Sequence, residues 1–386
     1  MNRESFLQDR LKTVKRIVVK VGTRLLRGDR GGLNLPLMES LAGQIARLRE
    51  QGMEIILVTS GAVGAGAEAM GMESAPDELQ SRQALASIGQ SRLMHFYKGL
   101  FLEHGMRVAQ ILLTRNALDD RRLYLNARNT METLLSWGVL PIVNENDTVA
   151  VEELKFGDND RLSALIACKM GADLLVVLTD VDGLYDRPPS QPGAQRISYL
   201  PQGVETEYQL GEEPGSTFSL GGMRSKLEAV RVVSQSGIPA HIGSGRTENV
   251  LLRTLAGEDI GTWIEPRDRK LTGRKRWIAF GKRACGGRLV VDSGAEAALL
   301  ARGKSLLPTG IVEVEGEFGP GDLVQVIGPE GREVARGLVN FSSRDLRKIT
   351  GLKTQEVLSL LGQRSGYEAI HRDNLVVLEE GGLNHE

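Results

Sequence analysis

Six short runs of β-branched and aliphatic residues, alternating with longer stretches of helical periodicity, occupy roughly the first 265 residues of this chain. The runs are Ile17-Val18-Val19, Ile55 to Val58, Val108 to Leu113, Val139 to Val143, Leu174 to Leu178 and Pro239 to Ile242. Helical patterns lie near 35–51, 78–104, 124–137, 160–170 and 223–236. In the last of these, Met223, Leu227, Val230 and Val233 recur at helical spacing and Gly237 follows as a terminator. Strands that alternate with helices predict an α/β fold with an open, mostly parallel sheet sandwiched by helices.

From about residue 275 the pattern changes to short strands separated by Gly and Pro, such as Ile311-Val312-Glu313-Val314 and Leu323 to Ile327, which predicts a small, mostly β module. A chain of 386 residues is also too long for one core. The expected division is a larger α/β domain over 1–265, a basic linker over 266–275, a β domain over 276–365 and a tail over 366–386. Basic residues cluster where the linker meets the module: Arg267, Arg269, Lys270, Arg274, Lys275, Arg276, Lys282, Arg283 and Arg288 face only Asp268.

Several function classes drop out. A formal net charge of −1 gives no whole-molecule attraction to nucleic acid or acidic membranes. No apolar run approaches the roughly 20 residues that span a bilayer. Residues 1–16 lack the apolar stretch of a secretory signal, so a cytoplasmic location with no membrane contact is expected. Cys168 and Cys285 have no metal-type or redox-type spacing, and the five histidines have no ligand spacing, which removes a disulfide framework and a zinc site.

In an open parallel sheet ligands sit beyond the carboxyl ends of the strands, so the residues that follow each strand matter most. After the first strand comes Lys20-Val21-Gly22-Thr23; after the second, Thr59-Ser60-Gly61-Ala62-Val63-Gly64-Ala65-Gly66; after the fourth, Asn144-Glu145-Asn146-Asp147; after the fifth, Thr179-Asp180-Val181-Asp182. Each alone reads as a plain turn. Their coincidence at one sheet edge reads as a site.

Lys20 ends an apolar strand, where its ammonium group must reach solvent or an anion. Arg224 and Lys226 fall in the first turn of the 223–236 helix, after Gly221-Gly222; cations there oppose the helix dipole, which points to a bound anion. Gly61, Gly64 and Gly66 are expected to let backbone approach a phosphate. Their spacing is not that of a dinucleotide fingerprint, and no P-loop motif occurs. Asp158-Asn159-Asp160 opens a helix after Gly157 with more polar groups than one N-cap needs. The surplus suits orienting an ammonium, holding lysines or coordinating Mg²⁺ through water.

Taken together and in order, Lys20 to Thr23, Thr59 to Ala62, Val143 to Asp147, Gly157 to Asp160, Leu178 to Tyr185 and Gly221 to Lys226 resemble the glutamate 5-kinases, enzymes of the amino-acid-kinase fold. Arg274-Lys275-Arg276-Trp277-Ile278 and the module after it resemble that family's C-terminal PUA domain. The resemblance implies ATP-dependent phosphorylation of the γ-carboxylate of L-glutamate to L-glutamyl 5-phosphate, the first step of proline biosynthesis, with ATP and Mg²⁺. It implies that Lys20 and Lys226 stabilise charge and Asp160 holds them in place. By the same resemblance Ser60, Asn144, Asp147, Asp158 and Asn159 bind glutamate. Lys20, Thr179, Asp180 and the loop of Gly221, Gly222, Met223, Arg224, Ser225 and Lys226 bind nucleotide.

Dimers or tetramers, and coupling to glutamate-5-semialdehyde dehydrogenase, are further implications. One departure stands out: the family's loop reads Gly-Thr-Gly-Gly-Met-x-Thr-Lys, whereas Ser219-Leu220 precede Gly221 here and Ser225 precedes Lys226. Two alternatives stay open at this point. One is another phosphotransferase of the same fold, acting on acetylglutamate, aspartate, carbamate or UMP. The other is RNA binding through the PUA-like module, for which Trp277 and Phe280 are the only aromatics in the basic run.

Overall fold

In a computed structural model the described residues are 7, 10–28, 32–114, 117–118, 121–149, 158–187, 191–201, 220–266, 285–302, 304–352, 356–357 and 368–378. The chain forms two compact units, Met1–Lys270 and Leu271–Glu386. Most of the basic linker, with Trp277 and Phe280, lies outside the described residues, as do Gly157, Ser219 and the end of the tail.

The first unit is built on an eight-stranded sheet. Its strands are β1 (Arg16–Val21), β2 (Glu54–Val58), β3 (Val108–Leu113), β4 (Leu140–Glu145), β5 (Leu174–Thr179), β8 (Tyr199–Leu200), β9 (Ala240–Ser244) and β10 (Gly261–Ile264), and β6 (Leu184–Tyr185) pairs with β7 (Arg196–Ile197) in a separate two-stranded ribbon. The sheet order is β3-β4-β2-β1-β5-β9-β10-β8. Every pair from β3 to β9 is parallel, and β10 runs antiparallel to β9. All six expected runs lie in or overlap strands; β10 carries no such run and was not anticipated.

The helices of this unit are α1 (Thr23–Leu26), α2 (Leu35–Glu50), α3 (Ala62–Ala69), α4 (Leu79–Glu103), α5 (Arg121–Ser136), α6 (Asp158–Met170), α7 (Leu220–Gln235) and α8 (Val250–Leu255). Local chemistry explains α2: Asn34 accepts from the Leu37 N–H at 3.3 Å as N-cap, Pro36 occupies the first turn, and Met38, Leu41, Ala42, Ile45 and Leu48 form one buried stripe. β1 is covered on both faces, as a central parallel strand must be, so its consecutive residues Ile17 to Val21 are all buried.

The glycine-rich stretch after β2 is where expectation and structure part. Gly64 and Gly66 are not loop residues but lie inside α3. A Cβ on Gly66 would stand 1.9 Å from the carbonyl oxygen of Leu85, and one on Gly89 would stand 1.8 Å from that of Ala62. Helices α3 and α4 therefore touch backbone to backbone at Gly66 and Gly89, whereas a Cβ on Gly64 would meet nothing within 4 Å. Gly61, at φ 95°, keeps the turn that lets the chain enter α3.

The second unit has a five-stranded sheet in the order β12-β11-β13-β14-β15, from β11 (Cys285–Val291), β12 (Ile311–Gly316), β13 (Leu323–Ile327), β14 (Glu333–Leu338) and β15 (Leu375–Val377). Helices α9 (Ser293–Arg302) and α10 (Ser343–Ile349) accompany it, and Leu289, Val324, Val326, Ala335, Leu346 and Ile370 sit in its separate core. No helix among the described residues is long and apolar enough to cross a membrane.

Candidate active site

The carboxyl ends of β1, β2, β4 and β5 lie side by side, because β1 sits between β2 and β5 and β2 pairs on its far side with β4. The chain runs from β1 to strands on one side and crosses to β5 on the other, and such a switch point is where open α/β sheets hold ligands. In register, Lys20 stands between Val58 and Val177. It is 5% exposed, so its ammonium group cannot rely on water.

Its partner is Asp160, in the first turn of α6 and 2% exposed. One oxygen of Asp160, Oδ1, contacts Lys20 Nζ. The other, Oδ2, accepts from Lys226 Nζ at 3.2 Å and from Ser225 Oγ at 2.7 Å. Two ammonium groups share one carboxylate here, and the Asp180 carboxylate also attracts Lys20. The lysines hold the Asp160 carboxyl below the usual carboxylate range, although burial works against ionisation. For Lys20, burial outweighs the attraction of Asp160 and lowers its pKa; Lys226 repels it in the same direction. The result is a dry corner holding two ammonium groups, which suits an anion whose charge grows during reaction.

Next to Asp160, Asn159 donates from Nδ2 to Ser60 Oγ at 3.0 Å and to Asn144 Oδ1 at 3.1 Å. Asn144 also accepts from the backbone N–H of Glu145 at 2.9 Å and donates to Gln90 Oε1 at 2.8 Å. On the β5 side, Thr179 Oγ1 donates to Asp180 Oδ1 at 3.0 Å, and Arg24 of α1 reaches Asp180 Oδ2 at 3.3 Å. Those contacts hold the Asp180 carboxyl below its ordinary range against a desolvation penalty that acts the other way. The floor beneath Ser60 is set by Thr59, whose hydroxyl meets the Tyr97 hydroxyl at 2.8 Å; both residues are buried.

The sequence pattern of the amino acid kinase family matches residues 15–244, and that of the PUA domain matches residues 287–361. The chain belongs to the amino acid kinase family. Its relatives in that family include the glutamate 5-kinase of Caldanaerobacter subterraneus subsp. tengcongensis, 48% identical over 367 residues that make up 95% of this chain and 98% of the relative. The glutamate 5-kinase of Geobacter sulfurreducens is 47% identical over 95% of this chain and 99% of its own, and that of Pelobacter propionicus is 43% identical over 98% and 100%. A UMP kinase structure from Bacillus anthracis superimposes with a TM-score of 0.46 at 19% identity, over 66% of this chain and 97% of that one.

In this amino acid kinase, the structure brings Lys20, Asp160, Ser225 and Lys226 into one cluster, and Ser60, Asn144 and Asn159 into another beside it. Thr179 and Asp180 stand at the end of the neighbouring strand. Asp147 lies half-buried in the turn after β4. The backbone of Asp158 opens α6, while its side chain lies outside the described residues.

Two expectations change. Gly221 to Lys226 is helix rather than loop, since α7 begins at Leu220; Lys226 is therefore in its second turn, with its charge met by Asp160. Arg224 is not turned to the same anion: its side chain is 81% exposed and lies 3.8 Å from Glu228. The sequence reading also passed over Gln90, Arg24 and Tyr97. No local pattern marks them, because each reaches the site through a contact distant in sequence.

Proposed function

We propose that this chain transfers the γ-phosphoryl group of ATP to the γ-carboxylate of L-glutamate, forming L-glutamyl 5-phosphate and ADP, the opening reaction of proline biosynthesis. Sequence relatives named glutamate 5-kinase over nearly the whole chain support the substrate pair. The observation that carries the chemistry is the Lys20–Asp160–Lys226 cluster at the sheet's switch point.

The nucleophile is the substrate's own carboxylate, ionised at neutral pH, so the reaction needs no general base. A carboxylate oxygen forms a bond to the γ-phosphorus while the bond to the β,γ-bridging oxygen breaks, and the electron pair leaves with ADP. Two anions must be brought into line, which is a task of positioning and charge compensation. Lys20 and Lys226 meet the charge on the transferring group, and Asp160 keeps both side chains pointed at it. Ser60, Asn144, Asp147, Asp158 and Asn159 hold glutamate; Thr179, Asp180 and the start of α7 hold the nucleotide.

Mg²⁺ enters with ATP as part of the substrate. Among the described residues no group of three His, Cys, Asp or Glu side chains forms a ready cation cage, and Mg²⁺ commonly binds through phosphates and one or two carboxylates. The product is a mixed anhydride and hydrolyses readily, which makes a glutamate-5-semialdehyde dehydrogenase a fitting partner.

The test is ADP release with Mg-ATP over glutamate, N-acetylglutamate, aspartate, carbamate and UMP, with hydroxylamine trapping of the acyl phosphate. Glutamate alone should give the hydroxamate at a substantial rate. Preferred turnover of any other acceptor would replace this reading.

A further inference from the structure

We infer that Gln90 is a substrate-specificity residue whose amide N–H₂ binds the α-carboxylate of the amino-acid substrate, an inference that rests on the glutamate reading above. Gln90 is 9% exposed and sits in α4 directly after Gly89, the residue that lets α4 press against α3.

A chain of amides settles which way Gln90 faces. The backbone N–H of Glu145 can only donate, and it donates to Asn144 Oδ1 at 2.9 Å. That fixes Nδ2 of Asn144 as the atom facing Gln90, which must answer with its oxygen, at 2.8 Å. The Nε2 group of Gln90 is left buried without a hydrogen-bond partner. The same logic fixes Asn159: Nδ2 is used on Ser60 and Asn144, and its Oδ1 is buried without a partner.

Buried polar atoms are rarely left unpaired, and here one donor and one acceptor are left unpaired on the same hydrogen-bonded chain. An α-amino acid head group carries the complement of both. Its carboxylate can only accept, as Gln90 Nε2 requires, and its ammonium can only donate, as Asn159 Oδ1 requires. The order along the chain orients the substrate. The lysines on Asp160 mark the end where the γ-carboxylate must react; the ammonium site on Asn159 adjoins that end, and the carboxylate site on Gln90 lies two hydrogen bonds beyond it, with Asn144 between them. The α end therefore belongs at Gln90 and the γ end at the lysines.

The experiment compares kcat/KM for L-glutamate and for 4-aminobutanoate, which lacks the α-carboxylate, in the full-length wild type and in Gln90→Glu and Gln90→Met. Gln90→Glu keeps an acceptor for Asn144 but removes the donor; Gln90→Met removes both. The wild-type preference for glutamate should fall at least about tenfold in each variant, the loss of one charge-assisted hydrogen bond, with KM for ATP unchanged. If Gln90 merely holds Asn144, both acceptors suffer alike and the preference stays within about threefold, which overturns the inference. Should Gln90→Met not fold, Gln90→Glu decides alone. Failure of the wild type to phosphorylate glutamate at all would instead overturn the reaction assignment.

Discussion

Lys20 and Lys226 stand on the two oxygens of a single carboxylate, that of Asp160, although one comes from the first strand of the sheet and the other from its last long helix. This geometry makes Asp160 the residue through which the two cations are held at one place. Like charges so close repel, and the carboxylate between them is what offsets the repulsion.

Deleting the carboxylate and deleting one of its lysines have different consequences. Asp160→Ala leaves two ammonium groups facing each other with little solvent and should lower stability by about 3 kcal/mol or more, read from urea unfolding. Lys20→Met, which deletes one charged contact in a desolvated site, should lower kcat/KM by about 10²-fold or more. A Lys20→Met enzyme within threefold of wild type would remove the lysine from the chemistry.

The pH dependence follows from the signs of the two shifts. Asp160 ionises below its ordinary value of 3.8, so its contribution to stability is complete above that pH and is lost as pH falls through the folded value. The stability difference between wild type and Asp160→Asn should shrink in acid. Lys20 is shifted below 10.5, so between its folded value and 10.5 the unfolded chain binds more protons and the cost of burying this ammonium is relieved as pH rises. Activity moves the opposite way, because the neutral amine cannot stabilise the phosphoryl group. The alkaline limb of kcat/KM, which reports the free enzyme, should therefore lie below pH 10.5, in a range where the stability of wild type gains on that of Lys20→Met.

The contact between α3 and α4 should be intolerant of a single methyl group. In Gly89→Ala the added Cβ would fall 1.8 Å from the carbonyl oxygen of Ala62, so the helices must separate. An overpacking cost of at least about 2 kcal/mol is expected, lowering Tm by about 5 °C or more. Because Gln90 is the next residue, KM for glutamate should rise as well. A neutral Gly89→Ala would show that the helices can slide apart freely.

Tyr97→Phe tests the floor of the site. Burial pushes the Tyr97 phenol up to about 12 despite its hydrogen bond with Thr59, so it stays a neutral hydroxyl at working pH. Its removal leaves the buried Thr59 hydroxyl with only the Ser60 carbonyl at 3.3 Å, and a loss of about 1 kcal/mol is expected in denaturant titration.

Much of the fold was legible because periodicity is local. A run such as Leu174 to Leu178 declares a doubly buried strand wherever it is placed, and Met223, Leu227, Val230 and Val233 declare one face of a helix. Helix α3 was not legible: three glycines among its flanking and interior positions read as a loop, since glycine is unfavourable in a helix by about 1 kcal/mol each. Its packing on α4 overrides that cost, and packing is not a property of the segment alone. β10 went unseen for a similar reason: its pairing with β9 on one side and β8 on the other makes a strand of Gly261–Ile264.

The chain by itself determined the succession of strands and helices and the polar residues placed at strand ends, because both depend on neighbours a few positions apart. The order of strands in the sheet decided the rest. It chose Asp160 as the common partner of Lys20 and Lys226, turned Arg224 outward, converted Gly66 from an anion ligand into a helix contact and drew Gln90 to Asn144. Each of these depends on which distant segments are packed together, and the energy of burying a charge or an amide is defined only once its surroundings exist.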